Sequence, residues 1–215
     1  MQNLPLKKGF TYTIIIAGLF GLVLQFALML QTRQAALPEA IIRFFSFFTI
    51  ISNGMVVLYF IGSLLPKQKK WYDFVNKNEV ATAVSIYIIV VGVVYQTVLK
   101  KPIPLEGWHR VADDILHLYI PLLMLLYWII FISTKKIDVR TIPYWLIYPA
   151  LYLVYTLIRG SIVNFYPYPF VAVNILGYSR VLFNSGMLVV FFLVLCFVFA
   201  AIANWRHKNK TNINS

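Results

Sequence analysis

Apolar positions along the chain run in long blocks and do not alternate singly with polar ones. Six blocks reach or approach the roughly 20 residues that a helix needs to cross a bilayer. They run from Phe10 to Gln31, Phe44 to Leu65, Val80 to Leu99, Asp113 to Ile132, Tyr144 to Arg159, and Val181 to Asn204. The fifth is the shortest. No segment shows the period-two pattern of a half-buried strand. The expectation is an all-α polytopic membrane protein, a bundle of six transmembrane helices forming a single integral membrane domain over residues 1–215. Lys7 and Lys8 precede the first block as they would a secretion signal. The block is too long for a signal core and lacks a clean small-residue cleavage site, so a retained helix is expected.

Composition narrows the class. Hydrophobic residues make up 60% of the chain, aromatic residues 17% and charged residues 12%, which excludes a disordered protein, a disulfide scaffold and a soluble globular enzyme. The single cysteine, Cys196, lies inside the sixth block and has no internal partner. The formal charge of +12 would suggest nucleic acid on a soluble chain, but no basic segment is long enough to form a groove, and no nucleic-acid partner is expected. The cations follow the loops instead. Lys7, Lys8, Lys67, Lys69, Lys70, Lys77, Lys135, Lys136, Arg140, Arg206, Lys208 and Lys210 fall on one set of alternate segments. Arg33, Arg43, Lys100, Lys101, Arg110, Arg159 and Arg180 fall on the other. Twelve against seven places both termini on the cytoplasmic side.

Polar residues within the blocks gather toward the outer end. Ser46, Thr49 and Asn53 lie within about 60° of one another on a single helix of 3.6 residues per turn. The fourth block opens with Asp113, Asp114 and His117, with Asp113 one turn from His117. Tyr148, Tyr152, Tyr155 and Arg159 form one stripe on the fifth block, and Arg180 and Asn184 stand one turn apart at the start of the sixth. Thr49 and His117 are each expected four or five residues into their helices, at a common depth of roughly 6–8 Å.

A hydroxyl becomes a nucleophile when a base takes its proton, and the base needs a partner that orients it. Thr49, His117 and Asp113 fit those three catalytic roles. Asn53, Arg159 or Arg180 could stabilise an oxyanion, and the two arginines could equally pair with the carboxylate of a lipid substrate. Asn184, one turn from Arg180, joins the candidate substrate-binding set. Each residue also has a plainer role open to it. Thr49 can bond its own helix backbone, His117 can join two helices by a hydrogen bond, Asp113 and Asp114 can cap the fourth helix, and the arginines can hold lipid head groups. His109, Asp113 and His117 recur every four residues as divalent-metal ligands would, but no further histidine lies on that side. No metal and no cofactor are expected.

At these residues the sequence closely resembles a bacterial six-span family, the Pr-six-Pr integral membrane proteins. The resembling segments are FFSFFTIISN (44–53), WHRVADDILHLYIPL (108–122), YPALYLVYTLIRG (148–160) and YPYPFVAVNILGYSRVLFN (166–184). That family in turn is distantly similar to the eukaryotic androgen-induced and androgen-dependent membrane proteins, threonine hydrolases of fatty-acid esters of hydroxy fatty acids. Their catalytic Thr follows two apolar residues near the start of a span, as Thr49 follows Phe47 and Phe48. Their catalytic His precedes a Pro inside a span, as His117 precedes Pro121. Their Tyr-Pro-Phe followed by Arg is matched by Tyr168, Pro169, Phe170 and Arg180, and this match implies that Tyr168 belongs to the candidate substrate-binding set. The resemblance implies Thr49 as nucleophile and His117 as base, in a bacterial cytoplasmic (inner) membrane. Ser52 stands where the eukaryotic proteins carry an acidic residue, so a role for Asp113 rests on its spacing from His117.

The function expected is therefore a membrane-embedded lipid esterase that takes a fatty-acyl ester from the outer leaflet. Two alternatives come from other classes: a lipid-binding or transport protein without chemistry, and a structural subunit whose polar layer joins helices. A transporter would favour internal repeats and polar groups at the midplane, and neither is evident.

Overall fold

A computed structural model describes residues 4–100, 105–132 and 136–213. Lys101 and Lys135, counted above among the loop cations, lie outside the described residues. Among those described, all regular structure is helical. The helices are α1 (Leu4–Thr32), α2 (Leu37–Phe45), α3 (Phe48–Ser63), α4 (Lys70–Val75), α5 (Asn78–Val94), α6 (Gly107–Asp114), α7 (Ile120–Phe131), α8 (Ile142–Trp145), α9 (Ile147–Val163) and α10 (Val173–Ile213). A wide π turn at Tyr95–Leu99 extends α5, and a second at Ile115–Tyr119 joins α6 to α7.

Five helical stretches are long and apolar enough to cross a membrane: Leu4–Thr32, Asn78–Leu99, Gly107–Phe131, Val139–Val163 and Val173–Lys210. The pair α2–α3 becomes a sixth if its two bent halves count as one span. Large apolar side chains stay exposed along these helices, Ile16, Val23, Leu151 and Ile162 among them. In water such surface would drive association, and in lipid it is the expected outer face. The chain is a multi-pass membrane protein.

The helices outrun the apolar blocks because helix geometry does not end where lipid does. The stretch that contains the fourth block begins at Gly107, whose φ of 57° suits glycine, six residues before Asp113. Asp113 and Asp114 therefore do not cap this helix; its N-cap residue is Glu106. The last helix begins at Val173 and kinks at Gly177, where φ is 73°.

The second block breaks where the sequence reads as one continuous helix. Ser46 turns its Oγ back to the Ile42 carbonyl at 2.7 Å, and the Ser46 and Phe47 N–H groups bond three residues back to Arg43 and Phe44. The last turn of α2 tightens, Phe47 is extended, and α3 leaves at 68°. Ser46 consequently lies off the helix that carries Thr49 and Asn53.

The described chain forms two compact units, Met1–Ser133 and Thr134–Ser215. In the first, α1 packs on α3, α6 and α7, and α5 lies between α3 and α7. Trp128 on α7 donates its indole N–H to Thr82 Oγ1 on α5 at 3.0 Å. Tyr59 and Tyr127 are hydrogen-bonded beside Phe60. Around the bend, Phe44, Ile50 and Leu116 form a buried cluster against Phe26, Phe47 and Ile115. In the second unit, Asn204 near the end of α10 clasps the backbone of Ile137, accepting from its N–H at 2.7 Å and donating to its carbonyl at 3.2 Å. There the segment after α9 folds back so that Tyr166 packs directly on Gly160, where any Cβ would collide with the ring.

Candidate functional site

The site in the first unit is built on the wide turns. Proline has no N–H, so Pro121 cannot donate to the carbonyl of His117 four residues earlier. The helix widens here, and the Ile120 N–H reaches back five residues to Ile115. The turn at the end of α5 widens in the same way, the Lys100 N–H bonding the Tyr95 carbonyl at 2.8 Å. Such turns are uncommon and concentrate at functional sites, because they re-aim the side chains they carry. Tyr95 opens one of them and His117 sits at the centre of the other.

The two rings meet. Their centroids are 3.9 Å apart and their planes 18° from parallel. His117 Nδ1 lies 3.0 Å from Asp113 Oδ1 and 3.1 Å from the Asp113 backbone carbonyl. Both are acceptors, so Nδ1 carries the proton and Nε2 is the nitrogen left to act as a base. The Tyr95 hydroxyl donates to the same Asp113 carboxylate. The His117 and Asp113 side chains are 17% and 15% exposed, enclosed enough to strengthen the pair without sealing it off. Asp114, next along, turns to Arg110 at 3.6 Å.

Thr49 is buried in the first turn of α3. One turn on, Asn53 is fully buried and donates twice, to the Thr49 carbonyl at 2.9 Å and to the Leu116 carbonyl at 3.2 Å. Asn53 thus pins the Thr49 turn to the residue beside His117. With both N–H groups committed it acts as a brace and has no proton left for an oxyanion. Its Oδ1 is buried without a partner. His117 stands ten residues past Gly107, about 15 Å along the axis, because that helix starts earlier than its apolar block.

The remaining candidates belong to the second unit. Arg159, on α9, places its guanidinium 5.4 Å from the centroid of the Phe165 ring. Arg180, past the Gly177 kink, lies 5.6 Å from that of Phe183. Asn184 donates to the Phe170 carbonyl at 2.9 Å, and Tyr168 stacks on Phe170 with planes 4° apart. The contacts of Phe165, Tyr168 and Phe170 lie in the connection between α9 and α10, whereas that of Arg180 stays within α10.

The residue that sequence reasoning missed is Tyr95. It lies in an apolar stretch with no motif around it, and only the widening of its turn brings it to His117. Among the described residues no three of His, Cys, Asp and Glu converge as a metal would require, so His109, Asp113 and His117 do not form the alternative metal set. No family model matches the chain, and neither curated proteins nor solved structures provide a match.

Proposed function

We propose that the protein is a membrane-embedded lipid esterase in which Thr49 is the nucleophile, His117 the base and Asp113 the group that orients it. The observation that carries this reading is the Asp113–His117 pair: a carboxylate fixes Nδ1 of an imidazole at 3.0 Å inside a membrane helix, and Asn53 braces that helix to the turn bearing Thr49. A half-buried polar pair of this kind is costly in lipid and is retained where chemistry needs it.

In the proposed reaction Nε2 takes the Thr49 hydroxyl proton as Oγ bonds the ester carbonyl carbon. The tetrahedral adduct collapses, the C–O bond to the alcohol breaks, and the alcohol leaves with that proton. Water then attacks the acyl-threonine by the same route and frees the acid. Thr49 lies at the N-terminal end of α3, where the positive end of the helix dipole favours developing negative charge. The apolar surroundings of Phe44, Ile50 and Leu116 suit an acyl chain. The substrate is a fatty-acyl ester, such as a fatty-acid ester of a hydroxy fatty acid, reached from the outer leaflet of a bacterial inner membrane. Both termini lie on the cytoplasmic side.

The test is hydrolysis by purified protein in lipid nanodiscs, with a panel of such esters. Free fatty acid should appear with the native protein and not with Thr49→Ala or His117→Gln. Release by none of the esters, from folded protein, overturns the reading. One observation favours a second reading, a non-enzymatic subunit or lipid carrier: Asn53 ties two helices together as a purely structural residue would. Under that reading His117→Gln and Thr49→Ser leave every property intact.

A further inference from the structure

Tyr95 contributes three things to one imidazole. Its ring covers a face of His117 at 3.9 Å. Its hydroxyl donates to the Asp113 carboxylate that His117 Nδ1 also engages. Its helix is set against the His117 backbone one turn earlier, at Gly92, where a Cβ would stand 3.3 Å from the His117 carbonyl and 2.9 Å from Pro121 Cβ. The charged groups around the cluster are Asp114, paired with Arg110, and Lys100, held by Gln96 Oε1 at 3.1 Å.

The geometry has a mechanical consequence. Turning an imidazole over about its Cβ–Cγ bond exchanges Nδ1 with Cδ2 and so carries the nitrogen away from its partner. That turn sweeps the ring edge through the space Tyr95 occupies, so the stack opposes it. A carboxylate one helical turn from its histidine can also swing away about its own side-chain bonds. A second donor from another helix removes that freedom, because leaving would break two bonds together. Covering the ring and anchoring the carboxylate select the same arrangement, with the proton on Nδ1 and Nε2 bare.

We infer that Tyr95 is a positioning residue that locks His117 in the Nδ1-protonated tautomer with Nε2 presented as the base. The inference rests on the esterase reading for its catalytic consequence and on geometry alone for the tautomer. Tyr95→Phe keeps the stack and removes the donation to Asp113, whereas Tyr95→Leu removes both.

The experiment is ¹⁵N NMR of histidine-labelled protein in bilayers at a pH where the ring is neutral, with His117 identified by its absence in His117→Gln. It is paired with kinetics on a long-chain p-nitrophenyl ester. The native protein should show one His117 tautomer, protonated at Nδ1. Tyr95→Phe should show a mixture, with kcat lower by about tenfold and KM unchanged, and Tyr95→Leu should lose about a hundredfold, the range for outer partners of a functional imidazole. An unchanged tautomer in Tyr95→Phe overturns the inference whatever the rate does. A tautomer that shifts in a protein hydrolysing no ester upholds the lock and removes the esterase reading. Should Tyr95→Leu fail to fold, the near-isosteric Tyr95→Phe still decides.

Discussion

Tyr95 and His117 lie face to face, 3.9 Å apart at their ring centres, although they come from different membrane helices. Each is carried by a turn one residue wider than an α-helix, and Asp113 bridges the two through its carboxylate. The contact turns a histidine on a transmembrane helix into one with a defined proton position. A histidine that served only to join two helices would not need that constraint.

Asp113→Asn is expected to leave the fold intact and lower turnover by about 10³- to 10⁴-fold, as loss of the orienting carboxylate does in a hydroxyl–histidine–carboxylate triad. An amide can donate to Nδ1 and hold the ring with the wrong nitrogen protonated. Turnover measured beside the thermal unfolding midpoint separates this from misfolding, and native turnover would remove Asp113 from the mechanism.

Gly92→Ala tests the close approach of α5 to the widened turn. The added methyl meets Pro121 Cβ at 2.9 Å, so α5 must move away and take Tyr95 with it. Stability should fall by about 1–3 kcal/mol, the usual cost of overpacking. Turnover should fall by about ten- to a hundredfold as the ring stack loosens. Chemical denaturation and ester kinetics on the same preparation check both effects.

Thr82→Val is the matching control away from the site. It removes the hydroxyl that accepts the Trp128 indole N–H at 3.0 Å between α5 and α7. A lost buried hydrogen bond should cost about 1–3 kcal/mol of stability, with turnover unchanged. Loss of turnover without loss of stability would mean that the far end of these helices takes part in the chemistry.

How much of this was legible in the residues depends on the kind of feature. The apolar blocks predict the helices well because burial in lipid demands long uninterrupted apolar runs. The helices run past the ends of these blocks because residues such as Trp108 to Arg110 continue a helix beyond its apolar part. The break at Ser46–Phe47 carries no proline or glycine; it comes from a serine hydroxyl bonding back to Ile42. The spacing of Asp113 and His117 was legible as one helical turn, and the structure pairs them. Pro121 signals the widened turn around His117, but nothing near Tyr95 signals its own. Asn53 stood out as a polar residue beside Thr49, yet only its two backbone partners mark it as a brace.

The bent pair α2–α3 yields a topological prediction. Five continuous spans plus a bent pair that crosses make six crossings, with both termini on one side. If the pair instead enters and leaves by the same face, the termini lie on opposite sides. Fusions of a reporter active on only one face, made at each terminus in turn, should give the cytoplasmic result for both.

The most direct measurement is mass-spectrometric mapping of a fluorophosphonate probe on the detergent-solubilised native protein and on His117→Ala. Probe bonded to Thr49 in the native protein and absent from the folded variant is the expected result, since only a hydroxyl activated by its base reacts this way. Folded native protein that takes no label at Thr49, or labels equally without His117, contradicts the assignment of Thr49 and His117 as nucleophile and base.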